Sequence, residues 1–259
     1  MAETVARATY KPVWIDLSTA DPAAAHDFYQ KVFGWNVEVN PDPQYGGYAV
    51  ARIDGKDVAG IGPKMMAEAP TSWSIYLGTS DIAEMTARVQ ATGGTVIAPP
   101  MQVGEQGMMA VFQDPSGAYI SGWQPAMMEG GLTDGRPGAF TWAELNARGM
   151  DKAVAFYARA LGWTTRTMPT GEGRPPYVLF MAGDQSIAGG MEMNPMVPPQ
   201  VPSYWMVYFA VADADATFKK AIDAGGHEVL APQDFPGGRS AIVSDPQGAV
   251  FAIRSITAR

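Results

Sequence analysis

The chain contains no cysteine and only two histidines, His26 and His227. The first absence excludes disulfides, thiolate zinc sites, iron–sulfur clusters and cysteine nucleophiles. The second restricts transition-metal chemistry, because imidazole and thiolate are the ligands such sites use most often. A zinc or iron site would have to be rich in carboxylates. Basic side chains are also in deficit, 18 against 26 acidic ones, for a formal charge of -8. That balance argues against nucleic acid or an anionic membrane as principal partner, since both reward a basic face. The longest apolar run, Tyr204 to Ala212, falls far short of the roughly 18 residues that span a bilayer. Met1 to Lys11 lacks the apolar stretch of a secretory signal. A cytoplasmic protein is the expectation.

What remains is a chain of 259 residues, 47% hydrophobic, long enough to bury one large core or two smaller ones. It repeats itself. Trp14-Ile-Asp16-Leu recurs as Trp142-Ala-Glu144-Leu, and Phe28-Tyr29 before Phe33-Gly34-Trp35 recurs as Phe156-Tyr157 before Leu161-Gly162-Trp163. Further along, Ala59-Gly60 matches Ala188-Gly189, and Trp73 and Tyr76 match Trp205 and Tyr208. Gly93-Gly94 matches Gly225-Gly226, and Asp114-Pro-Ser-Gly117 matches Asp245-Pro-Gln-Gly248. Several motifs in one order, with small drifts in spacing, mean a duplication with loop insertions. Two domains follow, 10–126 and 137–257, joined by a Gly/Met-rich linker near Met127 to Pro137.

Each copy reads as strand, helix and three strands, twice over. Val13 to Leu17 alternates, with Val13, Ile15 and Leu17 on one face and Trp14, Asp16 and Ser18 on the other. Asp21-Pro22 opens a helix, as N-cap and first helical residue, and Ala25, Phe28, Tyr29 and Val32 form its apolar stripe up to Gly34. Strands are expected at Trp35–Val39, Tyr48–Ile53, Val58–Pro63 and Trp73–Gly78. Asp81 caps a helix over Ile82–Ala91 that Gly93-Gly94 stops, and strands follow at Val96–Ala98, Met108–Gln113 and Ala118–Trp123. The second copy places helices near Lys152–Leu161 and Ala214–Ala224.

This ordered set resembles the vicinal-oxygen-chelate superfamily, which holds glyoxalases, extradiol dioxygenases and bleomycin-resistance proteins, and within it the two-domain actinobacterial glyoxalase-like type. The resemblance implies an α+β fold of tandem glyoxalase-like domains, each made of two βαβββ modules curled into an open half-barrel that holds a ligand on its concave face. It also places the family's metal ligands. Counted from the helix Phe-Tyr, they fall on Trp14, Ser74 and Ser121 in the first copy and on Trp142, Met206 and Ala252 in the second. A fourth lies around Gly60–Gly62 and Gly189–Glu192, where only Glu192 is able to ligate. One carboxylate does not hold a catalytic divalent ion, so neither metal nor other cofactor is expected.

The concave face should carry Trp14, Asp16, Ser18, Ser74, Tyr76, Tyr119, Ser121 and Trp123 in the first copy. Its counterpart should carry Trp142, Glu144, Asn146, Met206, Tyr208, Val250, Ala252 and Arg254. Each set pairs an acid with a tyrosine among aromatics. A desolvated carboxylate serves as a base and a phenol donates to a developing oxyanion, so Asp16, Glu144, Tyr76 and Tyr208 are the catalytic candidates. Trp14, Ser74, Ser121, Trp123, Trp142, Met206 and Arg254 are the ligand-binding candidates. Two other roles stay open for the acids: bonding to neighbouring backbone or, for Glu144, pairing with Arg254, and ligand recognition without catalysis. The aromatics serve equally as stacking platforms or as packing, whereas Trp73 and Trp205 belong to the core. The sixteen methionines provide adaptable walls or ordinary fill, and Met191 to Pro202 reads as a proline-punctuated flap.

Three functions are compatible with this reading. One is a metal-independent binding protein, monomer or homodimer, that encloses an aromatic or carbonyl-containing small molecule. Another is a metal-free lyase, isomerase or cyclase acting on a small carbonyl compound or a secondary-metabolism intermediate. The third, methylglyoxal disposal, is implied by the resemblance alone.

Overall fold

The computed structural model describes residues 10–131, 135–171, 173 and 175–256. The first copy runs β1 (Pro12–Thr19), α1 (Pro22–Phe33), β2 (Asn36–Val39), β3 (Ala49–Ile53) and β4 (Lys56–Pro63), then β5 (Ser72–Gly78), α2 (Ile82–Ala91), β6 (Thr95–Val103), β7 (Gly107–Gln113) and β8 (Tyr119–Pro125). The second runs β9 (Phe140–Ala147), α3 (Met150–Leu161), β10 (Thr164–Met168), β11 (Tyr177–Ala182) and β12 (Gln185–Glu192), then β13 (Tyr204–Ala210), α4 (Ala214–Asp223), β14 (His227–Phe235), β15 (Gly238–Ser244) and β16 (Val250–Ile256). Each copy forms one open eight-stranded mixed sheet, ordered β2-β3-β4-β1-β5-β8-β7-β6 and β10-β11-β12-β9-β13-β16-β15-β14. This is the α+β arrangement of paired βαβββ modules. Among the described residues no helix is long and apolar enough to cross a membrane.

Local chemistry explains the helix ends. Asp21 accepts the backbone N–H of Ala24, Pro22 occupies the first turn, and Gly34 closes α1 at φ 74°, a left-handed conformation only glycine adopts cheaply. Asp81 and Asp213 cap α2 and α4 in the same way. The largest departure from the expected strand bounds is β6, which continues through Pro99 and Pro100 to Val103. It lies at a sheet edge, where a missing N–H costs no ladder bond, and its pairing with β7 is interrupted by register shifts.

The chain packs into two compact units that cut across the duplication. One comprises Met1–Pro12, Tyr76–Glu129 and Leu145–Tyr204, the other Val13–Ile75, Gly130–Glu144 and Trp205–Arg259. Each therefore combines a leading module of one copy with a trailing module of the other. In the second of these units Tyr29 is fully buried and donates its hydroxyl to Asp245 at 3.2 Å, while Trp73 Nε1 donates to Tyr29 at 3.1 Å. Phe28, Phe33, Trp35, Phe209 and Phe251 surround this contact in stacked, edge-on and tilted ring pairs. Burial, followed by the Asp245 charge, holds the Tyr29 phenol well above its usual pKa, and burial raises that of Asp245.

The other unit repeats the arrangement. Tyr157 donates to Asp114 at 2.9 Å, beside the rings of Phe156, Trp163 and Phe180. The recurrent glycines belong to the same contact. A Cβ on Gly94 would lie 2.8 Å from the Phe156 ring, and one on Gly226 would lie 3.2 Å from the Phe28 ring. Asp114 and Asp245 also hold their own turns, each accepting backbone N–H groups two and four residues on.

Two stability predictions follow from these contacts. Tyr29→Phe leaves the Trp73 N–H and a buried oxygen of Asp245 without their partner, and should cost about 1–3 kcal/mol in urea denaturation. Tyr157→Phe should cost a similar amount, and the two losses should add because the contacts share no residue. The second concerns His26, which is half-buried, with a buried Nε2 that has no hydrogen-bond partner. Burial, only partly offset by Asp27 and Asp21, lowers its pKa. The unfolded chain then binds the extra proton first, so stability falls as pH drops below about 6.5. His26→Val, the residue at the equivalent position 154, should flatten that decline in unfolding curves measured from neutral pH to about pH 5.

Candidate functional site

The second copy's candidates gather within one unit. Trp142 and Glu144 stand on β9, Met206 and Tyr208 on β13, and Ala252 and Arg254 on β16. The Tyr208 hydroxyl donates to a Glu144 carboxylate oxygen at 3.0 Å. Tyr208 is paired with Ala252 across the parallel strands, and Ala210 with Arg254. The Arg254 guanidinium sits 5.5 Å from the centroid of the Phe235 ring, at the end of β14. Trp142, Glu144, Tyr208 and Arg254 are half-buried, whereas Met206 and Ala252 are buried. This wall presents a hydrogen-bonded acid and phenol, an indole and a cation over an apolar floor. It is suited to a flat ligand carrying oxygen atoms at its edge. Val250 is exposed at the start of β16, as Tyr119 is at the start of β8.

In the first copy the carboxylate meets a different tyrosine. Trp14 Nε1 donates to the Tyr48 hydroxyl at 2.9 Å, and that hydroxyl donates to Asp16. Burial, followed by the Asp16 charge, holds the Tyr48 phenol well above its usual pKa. The ring lies across β4, where Gly60 pairs with Asp16. A Cβ on Gly60 would fall 1.7 Å from the Tyr48 hydroxyl oxygen, and one on Gly62 would fall 2.8 Å from its ring. Sequence reasoning overlooked Tyr48, although alternate glycines in a strand signal a close approach of some other group. Ser74 is half-buried on β5. In the other unit Tyr76 pairs with Ser121 across β5 and β8 and meets the Trp123 ring edge-on at 6.5 Å. Trp123 Nε1 donates to the Met128 carbonyl at 2.8 Å.

The positions that correspond to the family's metal ligands offer two indoles, two hydroxyls, a thioether and a methyl group. This donor set does not fit a divalent ion. Among the described residues no three His, Asp or Glu side chains form a cluster able to hold one. Glu192, the one ligand-competent residue near the fourth position, has another task. Its two oxygens accept the backbone N–H groups of Gly149 and Met150 at 2.9 and 2.7 Å. Helix α3 starts at Gly149, which has no side chain to cap it, so Glu192 supplies what Asp21 supplies to α1.

A model of the Glyoxalase/Bleomycin resistance protein/Dioxygenase superfamily matches residues 11–121 and 139–253. The protein called putative glyoxylase CFP32 of Mycobacterium tuberculosis is 40% identical over 248 residues, covering 93% of each chain. Anthracycline biosynthesis protein DnrV of Streptomyces peucetius is 38% identical over 256 residues, covering 93% of this chain and 92% of its own. Among solved structures, the 2,3-dioxygenase LapB of Pseudomonas sp. KL28 superposes with a TM-score of 0.65 at 15% identity, over 96% of this chain and 92% of its own. The Mn(II)-bound glyoxalase of Novosphingobium aromaticivorans gives 0.64 at 16% identity, over 95% and 82%. At such identities the structures share the fold.

Glu192→Ala should lower stability by about 0.5–2 kcal/mol, the usual worth of a helix cap. Denaturant unfolding measures it, and Glu192→Gln, which keeps an acceptor, should lose less.

Proposed function

This chain belongs to the glyoxalase/bleomycin resistance protein/dioxygenase superfamily, and from that premise we propose that it is a metal-independent protein that binds an aromatic or carbonyl-containing small molecule on the β9, β13 and β16 wall. The 3.0 Å hydrogen bond between Tyr208 and Glu144, both half-buried, carries the proposal. It pre-orients a charged acceptor beside a phenol in a setting of reduced dielectric, where hydrogen bonds to a ligand discriminate strongly. Trp142 and the Arg254–Phe235 pair add an aromatic face and a positive charge. Ligand oxygens and ring faces have complementary groups without a metal ion.

The same geometry supports a second reading, a metal-free lyase, isomerase or cyclase. Glu144 takes a proton from carbon next to a ligand carbonyl, and the single Tyr208 O–H, given to Glu144 in the free protein, turns to the oxyanion that develops. The observation in its favour is the likeness to DnrV, a protein named for anthracycline biosynthesis. Asp16, hydrogen-bonded by Tyr48, stands at the equivalent place in the first copy.

Native mass spectrometry of gently purified protein, followed by titration with alizarin as a flat dihydroxyanthraquinone, tests both. The expected spectrum has no stoichiometric divalent ion and a retained alizarin adduct; a stoichiometric ion overturns metal independence. For a binder, Glu144→Gln and Tyr208→Phe should each weaken alizarin affinity about 10-fold or more, the worth of a hydrogen bond to a charged group. For an enzyme, the same variants should abolish turnover and leave affinity within a few-fold.

A further inference from the structure

At three equivalent wall positions the first copy is more covered than the second. In the first copy Trp14 is 4% exposed, Tyr76 7% and Trp123 5%. Their counterparts Trp142, Tyr208 and Arg254 are all half-buried. The cover over the first copy is its own chain. On one side, Tyr48 lies over Gly60 and Gly62 with its hydroxyl on the Trp14 indole. The linker that follows β8 supplies more: Gly131 donates to the Val13 carbonyl at 2.9 Å. Gly131 lies so close to Trp14 that a Cβ there would stand 2.6 Å from the indole ring. Gly130 adopts φ 137°, and a Cβ on it would stand 2.4 Å from the Val13 oxygen. In the other unit, the linker's Met128 carbonyl takes the Trp123 indole N–H.

We infer that the first copy is closed by the chain's own Tyr48 and Met128–Gly131 linker, so that the protein has a single small-molecule site, in the second copy. A stacking platform needs an accessible ring face. Trp14 and Trp123 lack one, for each is buried, and each is further fixed by an indole N–H bonded within the protein. The adjacent glycines 130 and 131 are what allow the linker to lie this close, because any side chain there collides with β1 or its tryptophan. Closure of the first copy stands on burial and geometry alone; only the assignment of the ligand to the second copy rests on the proposed function.

Hydroxyl-radical footprinting of the free protein, read by peptide mass spectrometry and normalised to the unfolded chain, tests the closure without any ligand. Trp142 and Tyr208 should be labelled several-fold faster than Trp14, Tyr76 and Trp123. Equal rates overturn the inference. Gly131→Leu should displace the linker and raise Trp14 labelling toward that of Trp142, with far-UV circular dichroism confirming that the variant is folded. Unchanged labelling in a folded variant overturns the linker's part; should the variant not fold, the wild-type footprint still decides. In the alizarin titration, one equivalent per chain supports a single site and two equivalents overturn it. Absence of any binding counts against the proposed function, while the footprint continues to decide whether the first copy is closed.

Discussion

The contact on which the rest of the structure depends is the buried hydrogen bond between a helix tyrosine of one copy and the turn aspartate of the other. Tyr29 meets Asp245 and Tyr157 meets Asp114. Each aspartate is held by its own turn through backbone N–H groups, so the tyrosine docks onto a fixed acceptor. A buried carboxylate is tolerable only when its hydrogen-bonding capacity is met, and here the turn and the partner module meet it together. A module without its partner would leave that carboxylate incompletely satisfied. This is why the units of packing run across the duplication. Aromatic rings around each contact exclude water and so strengthen it.

Much of the fold was legible because it is written in local chemistry. Asp21-Pro22 and Gly34 mark both ends of α1, and the alternation around Val13 to Leu17 marks a strand. These signals involve neighbours a few residues apart. The crosswise pairing was not legible. Tyr29 has two equivalent acceptors to choose from, Asp114 and Asp245, each in the same Asp-Pro-x-Gly turn, and a duplicated motif carries no address. Nor was the end of β6, since Pro99-Pro100 stops a central strand but not an edge strand.

The site was legible in part. Alternation set Glu144 and Tyr208 on one face, and their side chains are hydrogen-bonded across the neighbouring strands β9 and β13, because a strand's period of two leaves little freedom. It said nothing of Tyr48, whose ring crosses from the residue before β3 onto β4, nor of Glu192, which serves a helix end. Both are long side chains whose contacts depend on tertiary geometry. In each case the clue was an absence elsewhere: no Cβ at Gly60 and Gly62, and no capping side chain at Gly149.

Duplication supplies each wall position twice, and the two versions have diverged. Asp16 and Glu144 differ by one methylene, and the tyrosine that donates to each comes from a different segment: Tyr48, just before β3, and Tyr208 on β13. Trp123 and Arg254 occupy equivalent places, yet one gives its N–H to the linker while the other lies against Phe235. Once an indole is bonded to the main chain that covers it, opening that face costs the hydrogen bond as well as the apolar contact. Arg254 is instead half-buried, with its guanidinium against an aromatic ring. On the proposed reading, these differences close the first face with the chain itself at Trp14 and Trp123 and leave the Trp142 and Tyr208 wall for a ligand.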